Sequence, residues 1–98
     1  MSRWHKMAFI SAKDCFAEAV RIYKLNGSER DASSSLQDLG RTLVKQGGLE
    51  SALDCYCEAL QISKKIVGSN DPQVASLHDI CGTTLYDKGD FDKALASF

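Results

Sequence analysis

A single proline interrupts this chain of 98 residues, and only seven glycines accompany it. The segments free of both residues are long enough for helices, and no convincing strand pattern appears between them. Charge of one sign is equally scarce, since twelve Lys and Arg face thirteen Asp and Glu without a run of either. That balance leaves no electrostatic footprint for nucleic acid or an anionic lipid surface, so neither is expected as a partner. Nowhere do eighteen apolar residues follow one another, and Lys6 and Lys13 break up the apolar residues of the N-terminus. No signal peptide or membrane span is read there, and a cytoplasmic location is the default expectation.

Motifs of bond-making chemistry are also missing. There is no glycine-rich phosphate loop, no HExxH, no GxSxG, and the acids stand singly as on a solvated helical surface. Catalysis is therefore not expected. Cys15, Cys55, Cys57 and Cys81 lack a secretory context and read as reduced thiols rather than a disulfide framework. On a helix Cys55 and Cys57 diverge by roughly 200°, so they cannot clasp one metal or bridge each other without strain. His5 and His78 stand far from any such cluster, and His78 with Cys81 reads as an ordinary pair of helical neighbours rather than a dyad. No metal and no cofactor are expected.

What is present is 44% hydrophobic residue content, enough for one small domain with a core. Leu49, Ala52, Leu53, Tyr56, Ala59, Leu60 and Ile66 fall on one helical face, with Glu50, Asp54, Glu58 and Lys65 off it. Before that helix, Gly47 and Gly48 come after "LGRTLVKQ" and supply a tight turn, while Lys45 sits where a cation meets the negative end of a helix dipole. In "VGSNDPQVASL", Gly68 reads as a stop, Asp71 as an N-cap and Pro72 as the first helical residue.

These elements recur. A shift of 42 lays Gly40 on Gly82, Leu43 on Leu85, Gly47 on Gly89, Leu49 on Phe91, Ala52 on Ala94, Leu53 on Leu95 and Tyr56 on Phe98. A shift of 40 lays "DCFAEAVRI", from Asp14, over "DCYCEALQI", from Asp54. The cysteines beside Phe16 and Tyr56 thus occupy one repeat position, where a buried or half-buried thiol packs as a small hydrophobe. Trp4 and His5 precede the first recognisable helix and read as completing a turn or capping the stack.

At Leu36, Leu39, Gly40, Leu43, Gly47, Leu49, Ala52, Tyr56 and Ala59 the sequence resembles a tetratricopeptide repeat, and Gly82, Leu85, Gly89, Phe91, Ala94 and Phe98 carry the pattern again. The long connection "ISKKIVGSNDPQVASL" is similar to that of kinesin-light-chain-type repeats. In the helix after it, two registers fit: His78 and Cys81 at the large positions with Gly82 small, or Leu77 and Ile80 large with Cys81 small. The resemblance implies an all-α solenoid of antiparallel helix-turn-helix units coiled as a right-handed superhelix. It divides one domain, 1–98, into the second helix of a preceding unit (5–31), a complete repeat (32–73) and an incomplete one (74–98).

The resemblance also implies a protein-protein interaction module or scaffold that takes a peptide or helix on its concave face, lined by the first helix of each unit. On that face the candidates are Gln37, Asp38, Arg41, Val44 and Lys45, then Asp79, Thr83, Tyr86 and Asp87. The asparagines that help kinesin-light-chain repeats bind peptides are absent, since Gln37, Asp38, His78 and Asp79 stand in those stretches. Arg41 and Lys45, four apart, are suited to meeting a carboxylate, with two solvated cations as the plain alternative. An alternative reading makes the chain a regulatory segment of a larger enzyme or signalling protein. The apolar stripe Ala94, Leu95 and Phe98 predicts self-association through an open C-terminal repeat and marginal stability.

Overall fold

The computed structural model describes residues 11–96 and the side chains of residues 11–90. Trp4, His5 and Phe98 lie outside the described residues, as do the side chains of Ala94 and Leu95. Four helices succeed one another: α1 (Ala12–Leu25), α2 (Glu29–Lys45), α3 (Leu49–Val67) and α4 (Pro72–Ala96). Among the described residues there is no strand. Each helix packs on the next, α1 on α2, α2 on α3 and α3 on α4.

The first two connections are the same turn built twice. Gly27 and Gly47 both take positive φ, 72° and 83°, where any side chain would be strained. One residue on, Ser28 N donates to Tyr23 O and Gly48 N to Leu43 O, both at 2.8 Å. This bond from the residue after the glycine back across the last turn is the Schellman closure, which satisfies carbonyls the helix leaves open. The third connection is looser: Gly68 (φ 87°) ends α3, and Asp71 opens α4 by accepting from Gln73 N at 2.8 Å on its carboxylate. Pro72 then stands as the first helical residue, as its fixed φ and missing N–H favour. Ser11 caps α1, its hydroxyl accepting from Asp14 N at 3.1 Å.

The core respects the small and large positions of the repeat. Tyr56 of α3 is 2% exposed and lies against α2 at Gly40, where a Cβ would come within 2.6 Å of the ring. Val20, Leu36, Ala59 and Leu77 join all four helices in one cluster, and Leu43, Ala52, Tyr56 and Cys81 form a second. Between α2 and α3, Ser33 Oγ donates to Ala59 O at 3.2 Å and pairs with Ser63 Oγ at 3.1 Å, all of it buried. Thr42 and Thr84, 42 positions apart, each bond back to the carbonyl four residues earlier, Asp38 O at 3.0 Å and Ile80 O at 2.8 Å.

In two places the structure departs from expectation. The turn expected at Gly89 does not form, and α4 continues through it to Ala96. At Gly47 the reversal is held by the next helix, whose Tyr56 closes on Gly40; at Gly82 a Cβ would meet nothing within 4 Å. With no such contact to favour a turn, a glycine inside a helix costs only about 1 kcal/mol. The second departure is Cys15, which is exposed although its repeat counterpart Cys55 is half-buried. Among the described residues α1 packs on α2, whereas α3 packs on both α2 and α4 and covers more of its surface.

The register of α4 is resolved as well. Val74, Leu77, Cys81 and Thr84 are buried, Ile80 is half-buried, and His78 and Gly82 are exposed. Leu85 is 57% exposed while its counterpart Leu43 is 8%. The difference is neighbours, because α3 covers the stripe Leu36, Gly40 and Leu43, and no described element covers His78, Gly82 and Leu85.

Candidate functional site

Helices α2 and α4, the alternate members of the stack, border a polar recess of about 340 Å³ lined by Arg30, Ser34, Gln37, Gln73 and Ser76. Its α2 side is one helical face, since Arg30, Ser34 and Gln37 are spaced four and three apart. Its α4 side is set by the Asp71 cap, which fixes the start of the helix carrying Gln73 in its first turn and Ser76 in its second. No Asp or Glu is among the lining residues, so Arg30 shares the recess with four residues whose side chains are uncharged hydrogen-bonding groups. Such a set can donate to an acidic side chain or to the carbonyls of an extended backbone.

Of the residues singled out from sequence, Gln37 lies in this recess. Arg41 continues the same face four residues on, and its guanidinium is paired with Asp38. Both stay largely exposed, so the pair orients Arg41 more than it stabilises the fold. Lys45 is exposed in the last turn of α2, and Val44 is half-buried against the second core cluster. On α4, Asp79, Thr83 and Asp87 are exposed, and Tyr86 is 71% exposed. None of these four lines the recess.

Arg30, Ser34, Gln73 and Ser76 were not among those candidates. The signal for the first two was available, because Arg30, Ser34, Gln37 and Arg41 make one stripe at spacings of four, three and four. For Gln73 and Ser76 no such signal exists, since only the packing of α2 and α4 on the same helix, α3, brings them there.

A second hollow, on the α1 and α3 side, is lined by Lys24, Glu29, Ala32, Glu58, Ile62 and Lys65, among others. Its charges are already paired with one another, Lys24 with Glu58 and Lys65 with Glu29. Burial pushes the Cys55 and Cys81 thiols and the Tyr56 phenol above their ordinary pKa values, which suits packing groups rather than nucleophiles. Among the described residues no three His, Cys, Asp or Glu gather as a metal site would require, and no helix is long and apolar enough to cross a membrane.

Helices joined by twin turns, a small residue under an aromatic one where α2 and α3 cross, and side-chain bonds recurring at a fixed interval define an all-α helical-repeat protein. Residues 3–65 match the family model described as tetratricopeptide repeat, and the chain belongs to that family. Over 61 residues it is 39% identical to a protein of Arabidopsis thaliana named kinesin light chain-related 3, covering 62% of this chain. The match spans about 9% of that relative's length. No solved structure matches. Repeats of this family are protein-protein interaction modules in general and typically non-catalytic.

Proposed function

We propose that this chain binds an extended segment of a partner protein along α2 and α4, with the recess between them as the anchoring subsite. The observation that carries the reading is the recess itself, whose lining brings Arg30 together with four uncharged polar residues and includes no Asp or Glu. Arg41 and Lys45 continue the face toward the end of α2, and Asp79, Thr83 and Tyr86 complete it on α4. Tyr86 and Arg41 are of the residue types that most often dominate binding energy, so a few contacts rather than area would set affinity.

The test is selection from a display library of random peptides on the wild-type chain, then affinity measurement of the enriched peptides against Arg30→Ala/Gln37→Ala. A loss of tenfold or more, with unchanged helical content, supports the recess as anchor. Peptides that bind both proteins alike, or no enrichment at all, refute it.

A further inference from the structure

The turns that end α1 and α2 share one backbone and differ in the chemistry of one residue. Asn26 closes α1 at φ −90°, ψ 2°, and Gln46 closes α2 at φ −89°, ψ 0°. Each is followed by a glycine at positive φ and then by an N–H that reaches back across the last turn, to Tyr23 O or to Leu43 O. Asparagine before glycine is the pairing in which a side-chain amide closes most readily on the main chain. The next amide nitrogen completes a five-membered ring, and glycine has no Cβ to obstruct it. Glutamine in the same place has to close a six-membered ring, which is slower.

The two turns also differ in what holds them shut. In the last turn of α2, Leu43 is 8% exposed and packs with Ala52 and Tyr56. The last turn of α1 buries no side chain, since Ile22 and Leu25 are exposed, Tyr23 is half-buried, and Val20 is the one buried residue of that helix. Asn26 is itself exposed. Gly27 N donates to Lys24 O at 3.2 Å, so ring closure waits for this turn to open. A turn with no buried side chain in it opens more often than one pinned by a core residue.

We propose that Asn26 is a site of spontaneous deamidation whose products loosen α1 from α2. When the turn opens, the amide nitrogen of Gly27, its proton lost to hydroxide, attacks the side-chain carbonyl carbon of Asn26. The bond to the side-chain nitrogen breaks, and that nitrogen leaves as ammonia on taking a proton from water. Water then opens the succinimide at either carbonyl, giving aspartate, or isoaspartate where the main chain runs through Cβ. The balance is asparagine and water to aspartate or isoaspartate and ammonia, with water as the only co-reactant. Both products place a carboxylate at the C-terminal end of α1, the negative end of the helix dipole. Isoaspartate also inserts a main-chain carbon before Gly27, so Ser28 N no longer meets Tyr23 O at 2.8 Å. No residue of α1 lines the recess, and the change falls on the joint between α1 and α2 rather than on the anchoring subsite.

The experiment is peptide mapping by mass spectrometry of the whole chain, incubated warm at mildly alkaline pH, folded and in urea, beside Asn26→Gln. Asn70 is the one other asparagine and serves as an internal control. In the folded chain the Asn26 peptide should gain the mass of an acid over an amide and show isoaspartate, about tenfold or more faster than the Asn70 or Gln46 peptide. The incubated wild type should melt below the fresh protein, whereas Asn26→Gln, which copies the turn of α2, should keep its melting temperature. Asn26 intact in the folded chain while it converts in urea, Asn70 converting first, or conversion with no change in melting would each overturn the proposal. Should Asn26→Gln fail to fold, the folded and urea maps of the wild type decide it without that variant.

Discussion

The ring of Tyr56 occupies the space a side chain on Gly40 would need: a Cβ there would lie 2.6 Å from Cε1 and 2.8 Å from Cζ. Forty-two positions later the same kind of residue, Gly82, has nothing within 4 Å of its missing Cβ. Equivalent positions of one repeat therefore respond oppositely to the same substitution.

Gly40→Ala gains about 1 kcal/mol of helix propensity but must push back a 2%-exposed aromatic ring. Overpacking costs of about 1–3 kcal/mol are usual for such a site, so a net loss is expected. Gly82→Ala meets no atom and should gain up to about 1 kcal/mol. Urea unfolding of the two variants checks the pair, and equal shifts of the same sign would contradict the packing described.

Removing the carboxylate that opens α4 is the second expectation. Asp71→Ala leaves Gln73 N without its 2.8 Å acceptor and should cost about 1 kcal/mol, while Asp71→Asn or Asp71→Ser keeps most of it. Thermal melts of the three variants, monitored by circular dichroism, measure the order directly.

Alkaline pH should weaken the fold. Burial raises the pKa of Cys55, Tyr56 and Cys81 above their unfolded values, so each is protonated in both states at neutral pH and contributes no slope there. As pH climbs past about 8.5, and past about 10 for the tyrosine, the unfolded chain ionises first. Stability then falls with rising pH until the folded-state values are passed. Under reducing conditions the urea midpoint should hold steady from pH 7 to about 8.5 and decline above it. Tyr56→Phe should flatten the upper part of that decline.

The ion pairs linking helices, Lys24 with Glu58 and Lys65 with Glu29, should matter little. Their side chains remain 43–69% exposed, and pairs in that setting contribute about 0–1 kcal/mol. Lys24→Met and Lys65→Met should each shift the melting temperature only slightly, with little response to added salt. A large loss would mean these pairs, rather than the apolar spine, hold α3 against its neighbours.

The turn at Gly47, the stop at Gly68 and the start at Asp71 and Pro72 were readable from the chain because each depends on local backbone chemistry. So were Leu36, Gly40, Leu43, Ala52, Tyr56 and Ala59, whose spacing obliges them to share a face. The twin turn at Gly27 was legible in principle, since "NGS" punctuates two amphipathic runs, but neither repeat shift lays Gly27 on another glycine. The register of α4 was not legible, because Leu77 and His78 lie side by side on a helix whose buried face depends on which neighbours are present. The recess shows the same divide: Gln37 could be placed on a face, whereas Gln73 and Ser76 enter only through the packing of α2 and α4 on α3.

Buried between α2 and α3, the hydroxyls of Ser33 and Ser63 contribute modestly as hydrogen bonds. Their larger effect is on alignment. Apolar surfaces tolerate sliding, but moving α3 along α2 by one turn, about 5.4 Å, would carry each hydroxyl away from its partner. Stranding a buried polar group costs about 1–3 kcal/mol, a penalty that falls on every wrong alignment and not on the right one. The two serines act as an index mark on a sliding scale, and the spacing of every later helix is counted from it.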